Sequence, residues 1–380
     1  IHAHGAHSDR AAFVEPGGES TSYAETWRRV LALAEALSAA GIRPGDMVGF
    51  VSPRSPLGLI GFLAISSVAV CCPLSARQRP EELTAALESM GVSTLVDGCG
   101  DRSAVETART MRLRMLECRA SEQGIDVKTV GSDCEITPKD IGAKPGLALV
   151  MRTSGTTSKP KLVGLSHANV IAAASAICSA YGLGKEDLCF NLMPLYHVHG
   201  LISGGMSSLL AGSAQLCTGP LAPAALAQAY ENLRPTWFTG SPPVHLALRD
   251  WYETAGRQPH NDRLRFFRSS SAPFPAPAIA ALEALFGAPL YENYGMTETA
   301  ATVCSNLPPP ARRKVGGVGS SISAEIRIAD EHGADVAQGG EGEILLKGPT
   351  VITGYLGSDD IHAKNFHGPW LRTGDVGYFD

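Results

Sequence analysis

The chain has 380 residues, 44% hydrophobic and 18% charged, with 32 basic and 37 acidic side chains for a net charge of −5. That length allows two or three compact units around a large core, and the balanced, unblocked charge argues against a nucleic-acid-coating surface or an acidic tail. The nine cysteines, at 71, 72, 99, 118, 134, 178, 189, 217 and 304, form no CxxC pair, which fits a reducing, cytoplasmic setting. The N-terminal IHAHGAHSDRAAF lacks the charged-then-apolar order of a signal peptide and begins abruptly, as a domain within a longer chain does.

In chain order, Ser22-Tyr23-Ala24-Glu25 opens an amphipathic helix whose Trp27, Val30, Leu31, Leu33, Ala34 and Leu37 recur at helical spacing until Gly41. A strand is expected over Met47 to Val51. Within the uncharged run Ser55 to Ser75, Leu57 to Cys72, with serines and glycines inside it, is short for a bilayer span and long for a strand, and reads as a buried helix. Pro80 starts a third helix, and Ser93 to Val96 is a strand. Short β-rich runs alternating with helices predict a mostly parallel sheet covered on both faces. From Asp101 to Asp140 the pattern weakens, and only strand and loop edges of the same layer are assigned. A helix over Val170 to Tyr181, a strand over Leu188 to Met193 and a glycine-rich helical segment over Leu201 to Ala211 follow. A second set of α/β units runs from Gln215 to Gly295, with strands over Thr236 to Gly240, Leu264 to Ser269 and Pro289 to Glu292, and a helix over Ile279 to Phe286. After Asn306, Gly, Pro and short β runs (Ala324 to Ile328, Gly342 to Lys347) predict a small β-barrel or sheet. The expected organisation is therefore a first α/β subdomain over 1–165, a similar second one over 166–306, and a β-barrel subdomain over 307–380.

The most informative stretch is Val150 to Asn169. Between Thr153 and Lys161 it gathers Ser154, Gly155, Thr156, Thr157, Ser158 and Pro160 together with two lysines, and apolar runs on either side predict that the loop joins two strands. Gly155 admits close approach of an anion, the hydroxyls and free amides donate hydrogen bonds, and Lys161 adds a compact charge. The alternative is a solvated hydroxyl-rich turn. There is no G-x-x-x-x-G-K-[ST], no H-E-x-x-H and no G-x-S-x-G elbow, and Gly317-Val318-Gly319 lacks a dinucleotide fingerprint's third glycine. The loop is therefore a phosphate site of another type.

With the Thr153 to Lys161 loop, Tyr294-Gly295-Met296-Thr297-Glu298 and Trp370-Leu371-Arg372-Thr373-Gly374-Asp375 in this order, the chain resembles the adenylate-forming superfamily of acyl-CoA synthetases, firefly luciferase and peptide-synthetase adenylation domains. Essentially the whole length takes part. The Thr-Thr-Ser variant and Met193-Pro194-Leu195-Tyr196-His197-Val198-His199-Gly200 look most like oxalyl-CoA and peroxisomal CoA synthetase-like proteins. Ser158 and Leu162 stand where many members carry glycine.

The resemblance implies ATP-dependent activation of a carboxylic acid to an acyl-adenylate with release of pyrophosphate, with ATP and Mg²⁺ as cofactors, then acyl transfer to CoA or to a carrier protein's phosphopantetheine. It implies that Thr153, Ser154, Gly155, Thr156, Thr157, Ser158 and Lys161 hold the β- and γ-phosphates. Thr297 meets the α-phosphate and Glu298 the Mg²⁺, so that Thr153, Lys161, Thr297 and Glu298 form the catalytic set. Ser271-Ala272-Pro273 and Glu292, Asn293, Tyr294, Gly295 and Met296 frame the adenine, and Asp375 accepts from the ribose. His197, Gly200, Gly240, Ser241, Met296 and Ala300 border the acyl pocket. Each has a plainer reading: Glu298 as a helix-start charge, Asp375 as a turn residue, Tyr294 as core, His197 as a satisfied core or surface group. His199 has no such family support, and two histidines without an acidic or thiol partner at ligand spacing do not make a zinc site.

By the resemblance, the family's small C-terminal domain, with its lysine, is expected to be missing from this chain, so acyl transfer to the thiol is expected of the full-length enzyme. Gly204-Gly205, Gly240-Ser241 and Ala300-Ala301 leave room for a short-to-medium or branched aliphatic acid. Expected partners are a small carboxylic acid and, as an alternative acceptor, an acyl carrier protein, with no nucleic acid and no membrane span. A non-catalytic nucleotide-binding or scaffolding module is the competing reading.

Overall fold

The computed structural model describes residues 8–121, 124–130, 141–142, 145–153, 160–260, 262–357 and 359–380. Among these, three sheets form. Strands β3 (Met47–Val51), β4 (Val70–Leu74), β5 (Thr94–Asp97), β6 (Arg114–Ser121), β7 (Gly124–Thr129), β8 (Leu147–Arg152) and β9 (Leu162–Ser166) build a seven-stranded sheet in the order β7-β6-β5-β3-β4-β8-β9. Its central pairings are parallel and its two edge pairings antiparallel. Every residue of β3, β4 and β5 is buried, as a doubly covered parallel sheet requires.

The second sheet has nine strands. With β1 (Ala11–Val14), β2 (Ser20–Ser22), β10 (Leu188–Asn191), β11 (Ala214–Cys217), β12 (Trp237–Gly240), β13 (Phe266–Ser269), β14 (Leu290–Tyr294), β15 (Cys304–Ser305) and β16 (Ser320–Ser321), the order is β16-β15-β14-β13-β12-β10-β11-β1-β2. The N-terminal hairpin thus belongs to the second sheet, because β1 runs parallel to β11. Sequence proximity had put residues 11–22 with the first layer, but pairing with a strand two hundred residues away has no local signature.

The third sheet, β17 (Glu325–Ala329), β18 (Gly342–Lys347), β19 (Phe366–His367) and β20 (Trp370–Gly377), is antiparallel in the order β17-β18-β20-β19. The expected β-barrel subdomain takes this four-stranded form.

Helices Tyr23–Ala39, Pro56–Val68 and His167–Tyr181 lie in the main core, with Val30, Leu33, Leu59, Ile65, Val170 and Ala174 fully enclosed. The Pro56–Val68 helix is buried on nearly all sides, which accounts for its uncharged run, and no helix among the described residues is long and apolar enough to cross a membrane. The weak Asp101 to Asp140 stretch contains a helix, Arg102–Thr110, whose cap Asp101 accepts the Ser103 amide, followed by β6 and β7. Only two buried apolar positions, Ala104 and Ala108, mark that helix, too few for a periodic signal; residues 131–140 lie outside the described residues. The glycine-rich segment is a π-helix, His199–Met206, continuing into the α-helix Ser207–Ala211.

This topology gathers the predicted site. Parallel strands β10, β12, β13 and β14 point the same way, so the segments at 193–200, 240–241, 270–273 and 295–301 all leave the sheet at its carboxyl end. Ligand crevices of open α/β sheets lie there, at the point where strand order reverses, and here the order reverses at β10, between β11 and β12.

Candidate active site

β8 and β9 pair antiparallel and hold the ends of the hydroxyl-rich loop together. Ser154, Gly155, Thr156, Thr157 and Ser158 lie outside the described residues. At the neck, the Thr153 amide donates to the Lys161 carbonyl (3.0 Å) and the Lys161 amide to the Thr153 hydroxyl (3.3 Å). The Lys161 ammonium donates to Asn365 Oδ1 at 2.6 Å and lies 4.8 Å from the centre of the Tyr355 ring, a cation–π placement.

The Tyr355 hydroxyl in turn donates to Glu298 Oε1 at 2.8 Å. Glu298 is 5% exposed, and among the described residues no basic side chain pairs with it. Backbone bonds fix the arrangement: the Ile352 amide donates to the Glu298 carbonyl (2.9 Å) and the Leu356 amide to the Leu162 carbonyl (3.0 Å). No group of three or more His, Cys, Asp or Glu able to hold a metal occurs among the described residues. A lone buried carboxylate beside a phosphate-type loop fits Mg²⁺, which takes one or two carboxylates and completes its shell with phosphates and water.

The segment after β14 is held in a strained turn. A Cβ on Gly295 would stand 1.6 Å from the Ala301 carbonyl oxygen, so no side chain fits. Ala300 and Ala301 have φ of 53° and 120°, and Ser271 nearby in the same crevice has 77°. Such conformations cost about 1–3 kcal/mol each and gather at functional sites. The Thr299 hydroxyl fastens the turn, accepting the Met296 amide (3.1 Å) and lying 3.0 and 3.2 Å from the Met296 and Ala301 carbonyls. Thr297 and Met296 are half-buried, and Ala300 is enclosed.

Tyr294 and Asp375, 81 residues apart, meet: the phenol donates to Asp375 Oδ2 at 2.6 Å. Burial and this carboxylate push the Tyr294 phenol pKa above its ordinary range. Asp375 is exposed, and its amide is held by the Thr373 hydroxyl (3.0 Å). Glu292 accepts the Gly316 amide at 2.8 Å, and burial raises its pKa. Asn293 is turned into the core, its amide donating to the Ser269 carbonyl (2.6 Å) and accepting from Arg268 (2.8 Å). Ser271, Ala272 and Pro273 are exposed at the end of β13.

His199, not His197, is the histidine built into the crevice. His197 sits at the surface with its ring 4.7 Å from Tyr196. His199 is 6% exposed, with Nε2 2.8 Å from the Thr239 hydroxyl and Nδ1 3.3 Å from the Ser271 hydroxyl. Arg268, 0% exposed, donates to the same Thr239 oxygen at 3.2 Å. A guanidinium only donates, so the Thr239 proton is free for His199 Nε2, which leaves the Nδ1 proton for Ser271. Burial, then the Arg268 charge, lower the His199 pKa well below its usual value, keeping the ring neutral. Among the described residues no carboxylate pairs with Arg268, whose Nε has no partner. The resemblance favoured His197 as pocket lining; burial, which only the fold supplies, sets His199 and not His197 in the crevice.

The remaining pocket candidates divide. Gly240 faces the His245 ring and Ser241 stands half-buried before the Pro242–Ala255 helix. A side chain on Gly200 would strike the Pro194 carbonyl oxygen at 2.3 Å, and the spaces beside Gly204 and Gly205 are filled by Asn191 and Leu59. These three glycines serve close packing of the π-helix and add no pocket volume, so the room that Gly204-Gly205 suggested is not there.

A phosphate-type loop neck, a lone buried carboxylate and a tyrosine–aspartate pair, gathered beside the carboxyl end of the parallel strand β14, have the chemistry of a nucleotide site. The model of the family described as AMP-binding enzyme matches residues 2–356. A probable CoA ligase from Humulus lupulus, CCL9, is 33% identical over 394 residues, covering 98% of this chain and 73% of that protein. An oxalate–CoA ligase from Arabidopsis thaliana is 32% identical over 360 residues, covering 92% and 70%. The crystal structure of ATP-bound MatB from Rhodopseudomonas palustris superposes with a TM-score of 0.83 at 26% identity, covering 98% of this chain and 74% of that one. The chain belongs to the AMP-binding enzyme family and, within it, to the adenylate-forming acyl-CoA synthetases.

Proposed function

We propose that this protein activates a small polar carboxylic acid with ATP and passes it to CoA. In the first step an acid oxygen bonds to the α-phosphorus as the bond to the β-phosphate bridging oxygen breaks, releasing pyrophosphate. In the second, the CoA sulfur bonds to the acyl carbon and AMP leaves. Because both reactants of the first step are anions, positioning and charge neutralisation carry the catalysis. The observation that carries this reading is the convergence of Lys161 and Glu298 on Tyr355.

In this reading Thr153, Lys161 and the loop hydroxyls hold the β- and γ-phosphates, and Thr297 the α-phosphate. The Tyr294 ring lies against the adenine between 271–273 and 292–296, while Asp375 turns from the Tyr294 hydroxyl to the ribose. Glu298 holds Mg²⁺, which when bound neutralises phosphate charge. His199, Gly240, Ser241, Met296 and Ala300 border the acid. CoA is preferred to a carrier protein as acceptor because the relatives above carry CoA-ligase names.

A small acid with a second polar or anionic group suits this pocket better than an aliphatic chain. The Arg268–Thr239–His199–Ser271 chain brings an unneutralised cation and aligned donors to its edge, and the Arabidopsis relative is named for oxalate.

The test is pyrophosphate release and CoA-thioester formation with ATP and Mg²⁺ across oxalate, propionate, hexanoate and cinnamate, beside calorimetric ATP binding. Release led by oxalate supports the reading. ATP binding without release for any acid would favour a nucleotide-binding module.

A further inference from the structure

Lys161 and Glu298 carry opposite charges within one cluster, yet they make no ion pair with each other among the described residues. What stands between them is one side chain. Tyr355, 8% exposed, presents its ring to the Lys161 ammonium at 4.8 Å and its hydroxyl to Glu298 Oε1 at 2.8 Å. The ring is fixed independently of both side chains. The Ile352 and Leu356 amides tie the 352–356 segment to Glu298 and Leu162, and Phe366 meets the ring edge-on at 6.3 Å. Asn365 completes the seat: its Nδ2 donates to the Ile361 carbonyl at 2.6 Å, which turns its Oδ1 towards Lys161.

We propose that Tyr355 is a positioning residue that separates Lys161 from Glu298 and orients the Glu298 carboxylate for the metal. The proposal rests on the adenylation reading above. Free to meet, a lysine and a buried carboxylate form a pair that would have to be broken before either served a ligand. The ring prevents that pair while giving the ammonium a π-face, a weaker partner that phosphate oxygens displace. The hydroxyl donates to one carboxylate oxygen and leaves the other to a cation. Partners behind a metal-binding carboxylate commonly set metal affinity 10–100-fold.

The two functions separate by substitution. Tyr355→Phe keeps the ring between the charges and removes only the hydroxyl, so ATP affinity measured calorimetrically in EDTA should stay within about twofold of the parent. The gain in ATP affinity on adding Mg²⁺, and Mn²⁺ binding to the nucleotide complex followed by electron paramagnetic resonance, should fall about 10–100-fold. Tyr355→Leu also removes the π-face and the spacer, and should weaken ATP binding in EDTA as well, by about tenfold. In a Glu298→Gln background Tyr355→Phe should have no further effect on metal-dependent binding, whereas a merely structural role would add its loss there too.

The proposal is overturned if Tyr355→Phe leaves the metal-dependent gain within twofold, if it weakens binding equally with and without metal, or if the two substitutions are additive. A parent that binds ATP with no gain from Mg²⁺ overturns the proposal and the Glu298 assignment while nucleotide binding stands. A parent that binds no ATP at all overturns the adenylation reading, and the proposal falls with it.

Discussion

His245 offers a test of how the floor of the crevice is held together. Its ring is fully buried among Phe238, Phe267 and Phe274, with centroids 5.0, 5.4 and 6.1 Å away. Nε2 lies 3.1 Å from the Arg268 carbonyl, an acceptor, so the proton is on Nε2 and Nδ1 is left without a partner. Burial pulls the pKa down from 6.5 to about 4. The folded state therefore binds this proton later than the unfolded chain, and stability present above pH 6.5 is lost as the pH falls, levelling off below about 4.

Between about pH 7.5 and about pH 5 these two values give a loss of about 2 kcal/mol from His245 alone. His199, lowered in the same direction, adds to it. Urea unfolding at the two pH values should show His245→Phe losing about 2 kcal/mol less than the parent on acidification, whatever its stability at neutral pH. Activity should follow, since the His245 ring stands under Gly240 and the Gly240 carbonyl takes the Ser270 amide at 3.3 Å. Equal acid sensitivity in parent and variant would refute the burial argument.

Asp375→Ala should weaken ATP binding about tenfold or more by calorimetry while shifting unfolding by less than about 0.5 kcal/mol, because the residue is exposed and its one side-chain bond is to Tyr294. A large fall in stability without nucleotide would return it to a turn role. Gly295→Ala places a methyl on the Ala301 carbonyl and should cost about 3 kcal/mol or more together with nucleotide binding; a stable, binding-competent variant would show that the 295–301 turn is not needed as it stands. Arg268→Met removes a buried cation and should change stability by no more than about 2 kcal/mol. Its KM for oxalate should rise about tenfold relative to propionate, with little change in KM for ATP; an equal rise for both acids would remove charge from the account of acid choice.

Much of this protein was legible before folding was considered. The alternation of apolar runs and helical periods gave the layered α/β architecture, because a strand buried on both faces must be apolar throughout and a covering helix must keep a period of 3.6. Ser22 caps the helix it was expected to open, whereas Ser166 caps a helix that begins at His167 and not at the expected Val170. The loop at 153–161 stood out because glycine, hydroxyl and charged residues at close spacing have few uses other than holding an anion or turning sharply, whereas the 294–298 stretch stood out only through the family resemblance.

The tertiary structure alone decided what depends on distant partners. Residues 11–22 joined the second sheet through a parallel pairing that no local pattern encodes. His199 was chosen over His197 by burial and by Thr239, which arrives from another strand. Gly200, Gly204 and Gly205 had looked like pocket space and are instead filled by Pro194, Asn191 and Leu59. Tyr355 and Asn365, ordinary residues in a turn and at a helix end, became part of the site only when the third sheet docked against Glu298 and Lys161. Composition and spacing reveal residues whose chemistry is unusual where they stand; a residue that matters because it separates two others is visible only once all three share a place.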